Sequence, residues 1–423
     1  LLSTTQSLET GAFAQFSFRR AMKSSAADEL DTFRTFPVSC LCPKPCGTVA
    51  GLDFRVRDML HRQGVGKPRL VPEFGSMPNY FRMFGALGGL ALAACFATGP
   101  AAGQEDVLRW RMNSLLYPKL FGEAGERFAE TVRRLSDGSF AIEVHDRLVL
   151  DQDTFGALES GLVDAVWGSA GHHHREDPAL TIFSGFPFGP DPAGFTAWMQ
   201  TGGGAEALEA IYARHGMKSL YCGILPAEGG GWFVEPIESA ADLEGLSMRS
   251  FGYGARVLRK VGVVPYELPA EEIRPALETG LIGAAEFSLP SIDADLGIAE
   301  VAQNLYFPGW QQPVTSLEVL MPEKTWAELS DRHKAVLETA CGDTLSWTAA
   351  EATAQQVEAL SAFRAAGVEL HAWPDEVLLE LRGAWEEVIA EETARDPLLA
   401  KAWDSYLRFK DGYGDWQLRA YAE

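Results

Sequence analysis

The sequence has no surplus of basic residues: 36 Lys and Arg stand against 58 Asp and Glu, a formal charge of −22 over 423 residues. Phosphate backbones are held by clustered cations, so a nucleic-acid binder is excluded as the expectation. Cysteine is scarce as well. Cys40, Cys42, Cys46 and Cys95 fall in the first hundred residues and only Cys222 and Cys341 follow, so a bulk free of disulfides is expected. No HExxH helix, CxxC redox pair, serine-nucleophile elbow or phosphate loop is present, which leaves an enzymatic reading little support. What is abundant is apolar material, 47% of the chain, enough for a buried core and two or three domains.

Residues 1–76 lack a steady hydrophobic period and read as an upstream extension, non-native or without a fold of its own. Met77-Pro-Asn-Tyr-Phe-Arg82, the apolar run Phe84–Ala97 and the small residues Gly99-Pro-Ala-Ala-Gly103 then have the n-, h- and c-regions of a secretory signal, 77–103, too short for a permanent span. Leu92-Ala-Ala-Cys95 resembles a lipobox, which would anchor Cys95 in a membrane. Ala101-Ala-Gly103 resembles ordinary cleavage, and the expectation follows it to a soluble periplasmic protein. The Cys40, Cys42, Cys46 cluster lacks a second ligand pair at zinc spacing. Residues 1–103 hold 11 basic and 7 acidic groups, so 25 remain against 51, a charge of −26.

An internal repeat organises the rest. Strand 107–112, a helix carrying Ala124, Phe128, Val132 and Leu135 on one face, strand 140–144, helix 153–160 and strand 163–168 make β-α-β-α-β. The order recurs as strand 246–250, helix 254–261, strand 264–268, helix 270–279 and strand 283–287. Ala157-Leu-Glu-Ser-Gly-Leu-Val-Asp-Ala-Val166 and Ala276-Leu-Glu-Thr-Gly-Leu-Ile-Gly-Ala-Ala285 share six identities in ten. The fold class expected is α/β, two lobes around a central cleft, with ligand contacts just past the strand ends. A helical tail, 331–340 after the capping Ser330 and 345–366, would brace both lobes.

Arg249 ends a strand where a guanidinium can grip a carboxylate in fork geometry, or serve a surface ion pair; its truncation is expected to leave the fold intact. Glu286 ends a buried strand and needs a cation, an arginine or a proton. Glu228 precedes a glycine run and the aromatic pair Trp232-Phe233; the run either cradles a ligand or lets a hinge strand cross. In His172-His173-His174, treated as extended, at most His172 and His174 could share a metal, and a ligand-facing or solvated loop competes with that.

From Gln104 to about Tyr413 the chain resembles the periplasmic solute-binding subunit of TRAP transporters, in its 2-oxo and 2-hydroxy acid branch. The resemblance is carried by Asp177-Pro-Ala179, Phe186-Pro-Phe-Gly189, Gly230-Gly-Trp-Phe233, Leu243-Glu-Gly-Leu-Ser-Met-Arg249, Gly262-Val-Val-Pro265, Glu286-Phe287 and Tyr306-Phe-Pro-Gly-Trp310, in order and spacing. It implies a substrate-trapping, non-enzymatic transport protein without a catalytic cofactor, a carboxylate ligand held by Arg249, and small and large membrane permease subunits as partners. A homodimer through the C-terminal helix is a further expected partner. It also implies a bridging cation held by a glutamine, a glutamate and a backbone carbonyl, matching Glu228, Glu286 and Phe287. Glu228 stands where the glutamine is expected, which favours Ca²⁺ over Na⁺. Phe287 replaces a tryptophan, and Gly171-His-His-His174 replaces a tyrosine pair and a tryptophan. The substrate-binding set expected is therefore Arg249, Glu228, Glu286, Phe287, His173 and Trp232. Lobe I would be 104–226 with 315–353, and lobe II 227–314 with 354–423. A metal-dependent secreted enzyme using the histidine run and a ligand-sensing receptor are the alternative readings.

Overall fold

The computed structural model describes residues 107–115, 118–146, 148–149 and 153–420. The chain divides into 1–91 and 92–423, and all the described residues belong to the second unit. The expected extension, the signal segment, the Cys40, Cys42, Cys46 cluster and Cys95 lie outside them. No helix among the described residues is long and apolar enough to cross a membrane.

The first repeat forms β1 (Leu108–Ser114), α1 (Glu123–Leu135), β2 (Phe140–Asp146), α2 (Thr154–Glu159) and β3 (Ala165–Gly168). Ala124, Phe128 and Val132 recur at helical spacing and are buried, whereas Leu135, expected on the same face, is exposed at the fraying last turn. Helices α3 (Pro192–Thr201) and α4 (Gly204–Tyr212) then lead to β4 (Met217–Leu225) and β5 (Gly231–Phe233). The second repeat is β6 (Ser247–Arg249), α5 (Gly252–Lys260), β7 (Val264–Tyr266), α6 (Ala270–Glu278) and β8 (Ala284–Ala285). After it come α7 (Pro290–Asp293), β9 (Asn304–Phe307), β10 (Thr315–Pro322), α8 (Glu323–Glu328), α9 (Asp331–Ala365), β11 (Glu369–Ala372), α10 (Asp375–Arg395) and α11 (Pro397–Ala420).

The repeats build equivalent halves of two sheets. One sheet runs β2-β1-β3-β10-β4 and the other β11-β9-β5-β8-β6-β7. Within them β1 pairs in parallel with β2 and β3 as β6 does with β7 and β8. Both second helices end on a glycine in the left-handed region, Gly161 at φ 70° and Gly280 at φ 72°, where a side chain would be strained. A hydrophobic cluster continuous across both sheets includes Phe183, Trp198, Tyr212, Tyr253, Trp385 and Tyr406. Separate clusters fill the outer faces, around Phe128 and Trp167 on one sheet and around Trp232 and Phe363 on the other. Helix α10 packs on α5, and α11 on α3 and α4, so the tail touches the layers of both sheets.

Two expectations are corrected here. The tail helices expected at 331–340 and 345–366 are one 35-residue helix, α9. Cys341-Gly-Asp-Thr344 reads as a break, but Thr344 Oγ1 donates back to the Ala340 carbonyl at 2.8 Å and α9 lies along β4, so packing overrides local propensity. The Ser330 cap holds as expected, its hydroxyl accepting from His333 N. The described region is also not free of disulfides: Cys222 on β4 is bonded to Cys341 on α9, 119 residues away in sequence. That pairing follows from the packing of α9 on β4 and has no local sequence signal.

Candidate functional site

The backbone passes from the first sheet to the second after β4 and returns between β9 and β10. These two crossings run side by side, with Glu228 N donating to the Gln312 carbonyl at 3.2 Å. Glycines permit the approach: a Cβ on Gly309 would sit 2.2 Å from the Glu228 carbonyl oxygen, and one on Gly230 would sit 2.8 Å from that of Pro308. The glycine run is thus a crossing strand, and the crossing brings Glu228 to the strand ends of the second repeat.

There Arg249, at the end of β6, meets Glu286, just past the end of β8. Arg249 Nη1 donates to the Glu286 carboxylate at 3.2 Å and to the Glu286 carbonyl, Nε donates to the Leu268 carbonyl, and the guanidinium lies 4.9 Å from the Phe287 ring centroid. Phe251 N donates to the same carboxylate at 3.0 Å. Glu228 Oε1 accepts from Gln312 Nε2 and Thr315 Oγ1. A third acid, Asp293, accepts from Trp232 Nε1 at 2.8 Å and from Ser288 N. All four charged residues are at most 8% exposed.

The electrostatics are lopsided: three buried carboxylates share one guanidinium. Burial pushes all three upward, Glu228 well above the ordinary carboxylate range and Asp293 to about 8. Glu286 and Asp293 add to the rise at Glu228 by repulsion, and Arg249 opposes it there and at Glu286. The expectation that truncating Arg249 leaves the fold intact has this geometry against it: the guanidinium makes three hydrogen bonds, two of them to Glu286, and its removal would leave Glu286 uncompensated.

Of the residues expected from sequence, Arg249, Glu228, Glu286 and Phe287 come together. Trp232 is fully buried, edge-on to Phe363, and reaches the cluster only through Asp293. His173 does not join it. Its ring packs against Phe155 and Tyr212, and burial lowers its pKa to about 3. The run is a 3₁₀ turn rather than extended, with Nδ1 of His172 and His174 at the carbonyls three residues back. His172 and His174 both lie against the Phe251 ring, and His174 lines a cavity of about 300 Å³ with Ser250 and Phe251. Arg175 pairs with Glu267 beside it at 3.0 Å. Asp293, Gln311 and Gln312 were missed by sequence reasoning. A lone Asp in a short helix and a Gln pair in a crossing strand carry no spacing that marks them.

Residues 118–396 match the family described as bacterial extracellular solute-binding protein, family 7. A monocarboxylate 2-oxoacid-binding periplasmic protein of Nostoc sp. is 30% identical over 332 residues, 77% of this chain and 91% of that one. A TRAP transporter solute-binding protein from Bordetella bronchiseptica, with calcium and picolinate in its site, is 30% identical over 74% of this chain and 95% of that one, at a TM-score of 0.71. One from Pseudoalteromonas atlantica, with bound sodium and pyruvate, is 28% identical over 73% and 96%, at a TM-score of 0.69.

Proposed function

This chain belongs to the bacterial extracellular solute-binding protein family 7, the periplasmic solute-binding proteins of TRAP transporters, and we propose that it captures a small 2-oxo or 2-hydroxy monocarboxylate together with a cation. The observation that carries the ligand class is the buried cluster of Arg249, Glu228 and Glu286 at the crossing between the two sheets. Arg249 would hold the ligand carboxylate beside the Phe287 ring. Glu228, Glu286 and the Phe287 carbonyl would hold the cation, whose charge offsets the excess of buried carboxylate.

Charge counting selects Ca²⁺ over Na⁺. With a bound cation holding Glu228 and Glu286 ionised against the rise that burial imposes, and Asp293, raised to about 8, protonated near neutrality, these two and the ligand stand against Arg249. Sodium would leave a net −1 in the cleft, and calcium brings the sum to zero. The lobes would be 104–226 with 315–353 and 227–314 with 354–423. Arg175–Glu267 and the His174–Phe251 contact would part when they open. The protein would then hand its ligand to small and large permease subunits from the periplasm, where the Cys222–Cys341 bond is stable. A homodimer through the C-terminal helix is a further part of this reading, since α11 exposes Trp416 and Leu418. No catalytic step is assigned. The histidine run offers no ligand set for one, because His173 is packed in the core and no group of three or more His, Cys, Asp or Glu side chains is placed to hold a metal among the described residues.

Calorimetric titration with lactate, pyruvate, longer 2-oxo acids and succinate, after chelator and with Ca²⁺ or Na⁺ restored, tests this. A 2-oxo or 2-hydroxy monocarboxylate binding only with the cation restored is the expected result. Binding of succinate alone, or equal binding in chelator, would overturn it.

A further inference from the structure

The crossing strand that returns to the first sheet carries Gln311, a buried residue with a half-satisfied side chain. Gln311 Nε2 donates to the Gly229 carbonyl at 2.7 Å, next to Glu228. That bond fixes which way the amide points, since the flipped amide would press two acceptors together. Gln311 Oε1 is buried and has no hydrogen-bond partner among the described residues. Its position is central. A Cβ on Gly254 would lie 3.1 Å from Gln311 Cβ and 3.4 Å from Ser250 Oγ, so the stem of the side chain lies near Ser250, the residue after Arg249, and its amide reaches Gly229, the residue after Glu228.

A buried acceptor left unpaired is destabilising, and Glu228, next to Gly229 on the other crossing strand, is bonded to Gln312 and Thr315 rather than to Gln311. We propose that Gln311 is a specificity residue: its Oε1 accepts from the hydroxyl of a 2-hydroxy acid, so the site favours 2-hydroxy over 2-oxo acids of the same carbon skeleton. A keto oxygen only accepts, and would leave Gln311 Oε1 orphaned in the filled site. A site built to pair a ligand hydroxyl rejects the analogue lacking its proton far more strongly than an apolar pocket rejects a missing methylene.

This rests on the carboxylate-binding reading above and is tested separately from it. Lactate and pyruvate are titrated into the wild-type protein and into Gln311→Met, which keeps length and removes the acceptor together with the donor to the Gly229 carbonyl, with melting curves as a check on folding. The wild type is expected to bind lactate at least about tenfold more tightly. Gln311→Met is expected to lose that preference, lactate affinity falling by more than pyruvate affinity. A wild type that binds pyruvate as tightly as lactate overturns the proposal even if the variant fails to fold, and so does an equal loss for both acids in Gln311→Met. Binding of neither acid overturns the carboxylate reading and this inference with it.

Discussion

The two repeats share a topology and differ at their strand ends. In the first, Met112 and Asn113 pair with Ala165 and Val166; in the second, Met248 and Arg249 pair with Ala284 and Ala285. Asn113 thus stands where Arg249 does, and Trp167, one residue on, where Glu286 does. The first pair is spent on the fold. Asn113 exchanges hydrogen bonds with the Val149 backbone, and Trp167 stacks on Phe128 with its indole N–H on the Phe121 carbonyl. The second pair is an ion pair facing the crossing strands. The same scaffold places both, so strand-end position alone does not make a site; what fills the position decides. Glu318 repeats the lesson, since it is buried in the first sheet and raised to about 7, but Tyr212 donates to it and no cation lies among its bonds.

The largest expected effect falls on the packed side of that comparison. Trp167→Ala removes a fully buried ring that a Cβ on Gly125 would already crowd at 3.1 Å, and about 3–5 kcal/mol of stability should go with it. Chemical denaturation measures this, and ligand affinity of the folded fraction should be unchanged. A loss of affinity matching that of Arg249→Ala would erase the distinction between the repeats. Arg249→Ala comes next, weakening carboxylate binding by roughly 2–5 kcal/mol in calorimetry and also lowering the melting temperature, because Glu286 loses its partner. Arg249→Lys keeps the charge without the fork and should fall between.

The comparison also shows what could be read from sequence. The repeat was legible because helix end, glycine and buried strand recur residue for residue, and the strand-end rule then pointed to Arg249 and Glu286. Glu228 stood out as a charge before a glycine run, and its place in a cation site came only through the resemblance. Alternation along the run sets His172 and His174 on one side and His173 on the other, but it does not say which side faces the core, and His173 does. Asp293 and Gln311 depend on chain crossings and on a partner's bare indole N–H, neither of which leaves a periodic trace. The disulfide depends on a β4–α9 contact that spans 119 residues.

The buried acids near the second repeat should betray themselves through pH. Asp293 is raised from the ordinary range to about 8 chiefly by burial, so the folded state holds its proton more tightly than the unfolded chain. Its contribution is complete below about pH 4 and is lost as pH rises through about 8, each retained unit of displacement being worth about 1.4 kcal/mol. Melting temperature in chelator should therefore fall between pH 5 and pH 9, and Asp293→Asn should flatten that fall. An unchanged slope in the variant would mean that Asp293 is ionised at neutral pH, and the charge count favouring calcium would need revision.

The smallest effect concerns the cation itself. Glu228 is held by Gln312 and Thr315 on the crossing strand, and in the proposed site its carboxylate would be the charge that separates calcium from sodium. Glu228→Gln keeps the length and the capacity to bond Thr315 while removing one negative charge. With Gln at 228, a monocarboxylate and Glu286 stand against Arg249, leaving one negative charge that Na⁺ neutralises and Ca²⁺ overshoots. The variant should shift the ratio of ligand affinities measured in Ca²⁺ and in Na⁺ by about tenfold toward sodium, roughly 1.4 kcal/mol. Titration of both proteins after chelation, with each cation restored in turn, reads that ratio without reference to which carboxylate binds best. If the ratio is the same in both proteins, Glu228 does not face the cation, and the excess charge at the crossing is relieved by protonation, the direction in which burial already drives it.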